Sequence, residues 1–164
     1  MIQLNLPHPA DLLVEDLEGG RSRVYDPIRC RWVALTPEEW VRQHFTAWLT
    51  AEKGFPRSLM ANEVGLRVRG MPKRLDTIVF ARDGRTPLCI IEYKAPEVTV
   101  TQAVFRQAAL YNIVIKAPLL IVSNGLQHYC ALVTPGSEKP VYLKDIPQYA
   151  ELEILLKQGR HLDR

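Results

Sequence analysis

The sequence has no paired cysteines, no long apolar run and no large excess of one charge. Its three cysteines, Cys30, Cys89 and Cys130, stand far apart with no CxxC spacing, which fits a reducing compartment better than a disulfide scaffold. No cluster of histidines and cysteines has zinc-ligand spacing. Residues 1–9 contain no basic stretch followed by an apolar one, so no signal peptide is visible. The longest apolar runs, such as residues 119–122, are far too short to cross a bilayer. These absences lead to the expectation of a cytoplasmic protein with no membrane partner. The formal charge is only +3 and the isoelectric point about 8.8. That balance is compatible with nucleic acid without demonstrating it, because a clustered basic face is what matters. No GxxxxGK(S/T) string occurs, so no phosphate-cradling loop and no ATP binding are expected. Internal repeats and low-complexity linkers are absent too.

What is present describes an ordinary globular domain. At 164 residues, 47% hydrophobic and 24% charged, the chain fits one domain able to bury a core without staples. Residues 1–22, punctuated by Pro7, Pro9, Gly19 and Gly20, read as a loosely ordered N-terminal arm, with a single domain over 23–164. Residues 23–35 alternate enough for one or two short strands, broken at Asp26-Pro27. Thr36, Pro37 and Glu39 read as N-cap, first helical residue and capping-box partner. Trp40, Val41, His44, Phe45, Trp48 and Leu49 then recur at helical spacing until Lys53-Gly54.

The period then changes from helix to strand. Residues 63–69 and 75–81 read as two strands, and Asp83-Gly84 turns into a third over 88–93. The unbroken run Leu88, Cys89, Ile90, Ile91 predicts a central strand covered on both faces. A second helix is expected over 99–115, strands over 119–122 and 127–133, and a short apolar helix over 150–157. The class is α/β (α+β): a central mixed sheet flanked by helices.

Chemistry concentrates in residues 74–94. Asp76 lies near the start of one strand, and Glu92 and Lys94 at the end of the next. Residues two apart on a strand share a face, so Glu92 and Lys94 project together. A hairpin through Asp83-Gly84 brings Asp76 opposite that end. Two carboxylates and an ammonium then converge at a sheet edge. Mg²⁺ or Mn²⁺ is the cofactor such a group suits, since a hard cation needs only one or two carboxylates plus water and substrate phosphate. The metal would activate water and neutralise charge on phosphorus. Lys94 would orient that water or stabilise the transition state, and the Tyr93 carbonyl could add an oxygen ligand. The plainer reading of such residues is solvated charge at strand ends; the apolar strand leading into them and the second acid alongside favour function.

This pattern resembles the D…(D/E)xK signature of the PD-(D/E)XK nuclease superfamily. Gln107 and Tyr111 resemble the QxxxY motif of one of its branches. The strings YDPIRCRWVALTPEEWVRQHF, RLDTIVF, CIIEYKAPEVTVTQ and LLIVSNGLQHYC resemble the N-terminal domain of type I restriction enzyme R subunits, over residues from about 25 to 149. The resemblance implies a restriction-endonuclease-like αβββαβ core, Asp76 and Glu92 as metal ligands, Lys94 as catalytic lysine, and Gln107 with Tyr111 beside the site. It also implies an acid on the first helix. Glu39 matches it, but serves equally as the capping-box residue; Glu63 is a further candidate. R subunits carry ATP-driven translocase domains after the nuclease, and these 164 residues contain none.

Arg67, Arg69, Lys73, Arg74 and Arg82 surround the hairpin that carries Asp76, and Arg106 precedes Gln107. They would neutralise phosphates of a bound nucleic acid, or simply occupy solvent faces and turns. His44 reads as a packed histidine, and His128 has no assigned role. Trp32, Trp40 and Trp48 read as core rather than base-stacking platforms. The function expected is metal-dependent phosphodiester hydrolysis on DNA. The alternative is a nuclease fold kept for binding nucleic acid or a protein. A homodimer or a partner subunit both remain open.

Overall fold

The structure, a computed structural model, describes residues 2–133 and 140–162. Strands β1 (Val14–Leu17), β2 (Arg21–Asp26) and β3 (Arg31–Ala34) form a three-stranded antiparallel sheet of their own. The expected loose arm over 1–22 therefore contains a strand, and its boundary falls inside β2. The adjacent Gly19 and Gly20, at φ 77° and 72°, make the hairpin turn that joins β1 to β2. Val24 and Asp26 of β2 are fully buried, so this sheet is docked on the rest of the protein.

Helix α1 (Pro37–Lys53) starts and stops where expected, but the capping box is only half formed: the Glu39 carboxylate turns to Arg29, Arg42 and Gln43, and the Thr36 N–H donates to the Ala34 carbonyl. Thr36 Oγ1 accepts the Glu39 N–H at 3.0 Å, and Gly54 supplies the left-handed cap. Its Val41, Phe45 and Leu49 are fully buried. Trp40 and Trp48 pack half-buried beside them. Trp32 differs from expectation: on β3 it is 39% exposed, lying edge-on to Tyr25 and beneath Arg23 rather than in the core.

The main sheet has six strands: β4 (Met60–Val68), β5 (Met71–Phe80), β6 (Pro87–Tyr93), β7 (Leu119–Ser123), β8 (His128–Leu132) and β9 (Val141–Leu143). They lie side by side in chain order, and only β6 and β7 are parallel. The crossover between these two is helix α2 (Gln102–Ile115). Alternate residues of β6 and β7 explain the unbroken apolar runs. Cys89, Ile91, Tyr93, Leu119 and Ile121 face α1 and helix α3 (Tyr149–Leu162), whose Tyr149 and Leu152 are buried. Ile90, Leu120 and Val122 face Phe105, Ala108 and Tyr111 of α2. A strand covered on both faces has no polar side to show. Strand β9 was not expected; at three residues it offers no periodicity to read.

Gly125 closes the turn after β7. It has φ 81°, and a Cβ there would stand 2.7 Å from Leu4 Cδ2. Both the backbone conformation and the close approach of the N-terminal segment call for glycine. No described helix is long and apolar enough to cross a membrane.

Candidate active site

Strand pairing places the three expected residues together. The register Thr77↔Ile91 and Ile78↔Ile90 sets Asp76 level with the C-terminal end of β6. Asp76 Oδ2 accepts the Tyr93 backbone N–H at 2.8 Å, which ties the two strands at that point. Lys94 Nζ donates to Glu92 Oε1 at 3.0 Å, as residues two apart should. Helix α2 delivers Gln107, whose Nε2 lies 3.1 Å from both Glu92 Oε1 and Tyr111 Oη. Asp76, Glu92, Lys94 and Gln107, from two strands and a helix, thus share one locale, with Tyr111 behind Gln107.

The carboxylates are sequestered: Asp76 is 8% exposed and Glu92 4%. Glu92 Oε2 is buried, with no hydrogen-bond partner among the described residues. Burial, and then the charge of Asp76, push the Glu92 pKa up to about 7. Burial also raises Asp76, against the opposing pull of Arg42 and the Tyr93 N–H. Lys94 loses hydration by burial, but Glu92 more than compensates and keeps it firmly protonated.

A second acid of the first helix, Glu38, interacts electrostatically with this centre. Glu38 is raised by burial and then by the charge of Asp76, and it also interacts with Lys94. Glu39 points inward instead. It pairs with Arg42 and Arg29, and its Oε1 accepts Gln43 Nε2 at 2.8 Å. Glu63, in the left-handed region at φ 58° within β4, reaches Arg42 Nη2 at 2.9 Å and pairs with Arg74. Arg42 was missed in the sequence. An arginine with acids three and four residues before it on a helix reads as a surface pair, yet this one is 3% exposed and donates to Asp76 Oδ1 at 3.0 Å.

The other candidates separate. Arg67, Arg69, Lys73 and Arg74 are exposed on the β4–β5 hairpin, and Arg106 is exposed on α2. Arg82 stands elsewhere, bound to Glu153 of α3 at 2.8 Å. His44 donates from Nδ1 to the Trp40 carbonyl at 2.9 Å, and His128 stacks on Trp48 with Ser123 Oγ at 2.8 Å. Both are packed, and their hydrogen bonds among the described residues go to groups other than Asp76 and Glu92. The side chain of Tyr93 lies in the core against Phe45.

Comparison with known proteins places the fold and the family. A solved structure described as a fragment of an HsdR subunit of a type I restriction enzyme from Vibrio vulnificus shares the fold, with a TM-score of 0.59 at 23% sequence identity. The match covers 76% of this chain and 26% of that one, so the present chain spans about a quarter of that structure. No curated protein matches the sequence. Residues 37–147, from the first residue of α1 to the loop before α3, match the family model described as type I restriction enzyme R protein N terminus (HSDR_N). The chain belongs to that family, the N-terminal region of type I restriction enzyme R proteins.

Proposed function

We propose that this domain is a metal-dependent phosphodiester hydrolase that cuts DNA. The observation that carries the proposal is the convergence on Glu92: Lys94 and Gln107 meet its Oε1 while its buried Oε2 has no hydrogen-bond partner among the described residues, with Asp76 on the neighbouring strand. Two crowded carboxylates, one with an orphaned oxygen, suit a hard divalent cation. Among the described residues no three His, Cys, Asp or Glu side chains form a cage of their own. Mg²⁺ and Mn²⁺ need less, because they keep several waters and take further oxygens from the substrate phosphate.

Asp76 and Glu92 would hold the ion. When bound, it lowers the pKa of ligated water and neutralises charge at phosphorus. Lys94, a compact cation fixed by Glu92, stabilises the charge that develops on the phosphate oxygens and orients the attacking water. Gln107, bonded to Glu92 and Tyr111, sets the Glu92 rotamer. Arg67, Arg69, Lys73 and Arg74 would neutralise backbone phosphates on one side of the centre and Arg106 on another.

A second reading draws on a specific contact. Asp76 Oδ1 is already taken by Arg42, as it would be in a nuclease fold retained only to bind nucleic acid or a protein partner. Cleavage of labelled linear and circular DNA with Mg²⁺ or Mn²⁺, with RNA in parallel, separates the two. The hydrolase reading expects metal-dependent cutting that falls at least about 10²-fold in Asp76→Ala and Lys94→Ala, both folded by circular dichroism. Salt-sensitive DNA affinity indifferent to Lys94→Ala, with no cutting and no metal uptake, would establish the binding module instead.

A further inference from the structure

We propose that Arg42 is a positioning residue for Asp76, and that the N-terminal sheet holds it in place through a closed ring of ion pairs and hydrogen bonds. Residues outside the family-matched segment would then build part of the site. The inference rests on the reading of Asp76 as the carboxylate that holds the metal.

A guanidinium is a rigid fork of donors, and in the interior its charge persists only when paired. Arg42 Nη2 divides itself between Asp76 Oδ1 at 3.0 Å and Glu63 Oε1 at 2.9 Å, while Nη1 binds Glu39 Oε2. Asp76 is therefore gripped from two sides: Arg42 of α1 on Oδ1 and the Tyr93 N–H of β6 on Oδ2. Donors on two rigid elements fix the plane of the carboxylate and hence where its free lone pairs point.

Arg42 is itself fixed from the N-terminal sheet. Glu39 receives Arg29 Nη2. Arg29 leaves the β2–β3 turn and is held by Asp26, which is fully buried at the end of β2. Asp26 Oδ1 accepts the Ile28 N–H at 2.8 Å, which shapes that turn, and its Oδ2 accepts Asn62 Nδ2 at 2.9 Å. Asn62 Oδ1 accepts the Thr77 hydroxyl at 2.7 Å. Thr77 follows Asp76 on β5, so the ring Asp76, Arg42, Glu39, Arg29, Asp26, Asn62, Thr77 closes on adjacent residues of one strand. Charges alternate around its ionic arc, so displacing Arg29 unbalances Glu39, then Arg42, then Asp76. The segment matched to the family begins at Pro37; Asp26 and Arg29 lie before it.

The test uses the full chain and compares Arg29→Gln, Arg29→Lys and Arg23→Gln with wild type. Mn²⁺ affinity is measured by calorimetry, and the Tyr93 backbone amide resonance by NMR reports the Asp76 carboxylate that it contacts. Arg29→Gln should weaken Mn²⁺ binding about tenfold or more, the usual consequence of losing a partner that orients a ligand, and should move the Tyr93 resonance. Arg29→Lys should restore part of both. Arg23→Gln removes an exposed ion pair with Glu15 in the same sheet and should move neither. A folded Arg29→Gln with wild-type Mn²⁺ affinity and an unmoved Tyr93 amide overturns the proposal. Should that variant not fold, Asn62→Ser cuts the same ring at a half-buried neutral position, with the same two outcomes. If the wild-type chain takes up no Mn²⁺, the metal reading falls, and the Tyr93 amide alone decides whether the ring positions Asp76.

Discussion

Glu92 is expensive to keep charged. One oxygen accepts Lys94 and Gln107, the other is buried without a hydrogen bond from any described residue, and Asp76 adds its repulsion. Its pKa rises from an ordinary 4.5 to about 7. An acid raised on folding costs nothing below its unfolded value. The cost grows as pH climbs from about 4.5 to 7 and is complete above that. The full shift corresponds to roughly 3 kcal/mol. Glutamine forfeits the charge-assisted bond from Lys94 and recovers only part of it. Without divalent metal, Glu92→Gln should therefore stabilise the fold at pH 8 by about 1–2 kcal/mol, a gain that fades toward pH 5. Urea unfolding at the two pH values measures this. A variant no more stable than wild type at pH 8 would mean that the charged carboxylate is not strained. The triad Asp76, Glu92 and Lys94 was legible because strand alternation and a hairpin fix their relation from spacing alone. Arg42 was not, since nothing local distinguishes a helix arginine buried under three strands from one in water.

Beyond Asp76 the β4–β5 hairpin continues as a two-stranded ribbon, because β6 pairs with β5 only from Thr77 onward. One side is anchored: Val64, Leu66 and Val68 pack with Phe105 and Ala108 of α2. The exposed charges Arg67, Arg69 and Lys73 carry little of the fold. Arg67 donates only to the Gly70 carbonyl, at 3.1 Å, among the described residues. The double variant Arg67→Gln, Lys73→Gln should leave the melting temperature unchanged. It should flatten the dependence of log K for duplex DNA on log salt by about 2, roughly 0.9 for each phosphate that is no longer neutralised. Anisotropy titrations at several salt concentrations read this out; an unchanged slope would take the ribbon off the DNA. The legibility of elements follows their length and ends. Helix α1 had a cap, a stop and a full apolar stripe, and β6 and β7 had apolar runs with no polar face. Strands β1 and β9 have four and three residues, too few for a period, and β1 is exposed along its length, so it has no apolar face to announce it. Trp32 was misplaced for a related reason. An aromatic residue predicts burial only where its element is known to have something on both sides, and β3 has water on one.

At the scale of the molecule, the site and the stability of the fold share the same residues. Two buried carboxylates and a ring of alternating charges hold together β5, α1 and the N-terminal sheet. Without a bound ion, Arg42 and the Tyr93 N–H on Asp76, and Lys94 and Gln107 on Glu92, meet that electrostatic cost among the described residues. A divalent ion bound by Asp76 and Glu92 would offset more of it, and only in the folded chain, where the two carboxylates are neighbours. Such binding adds about 2.7 kcal/mol at a hundredfold excess over Kd. For a chain of 164 residues this should raise the melting temperature by about 5–10 °C. Glu92→Gln loses one of the two ligands and should gain little from the ion. The two proteins should therefore exchange order: the variant melts higher in EDTA, the wild type melts higher in millimolar Mn²⁺. General effects of a divalent salt on the surface would shift both curves together. Scanning calorimetry of both in the two buffers makes the comparison; parallel shifts, with no exchange of order, would remove the metal from Glu92.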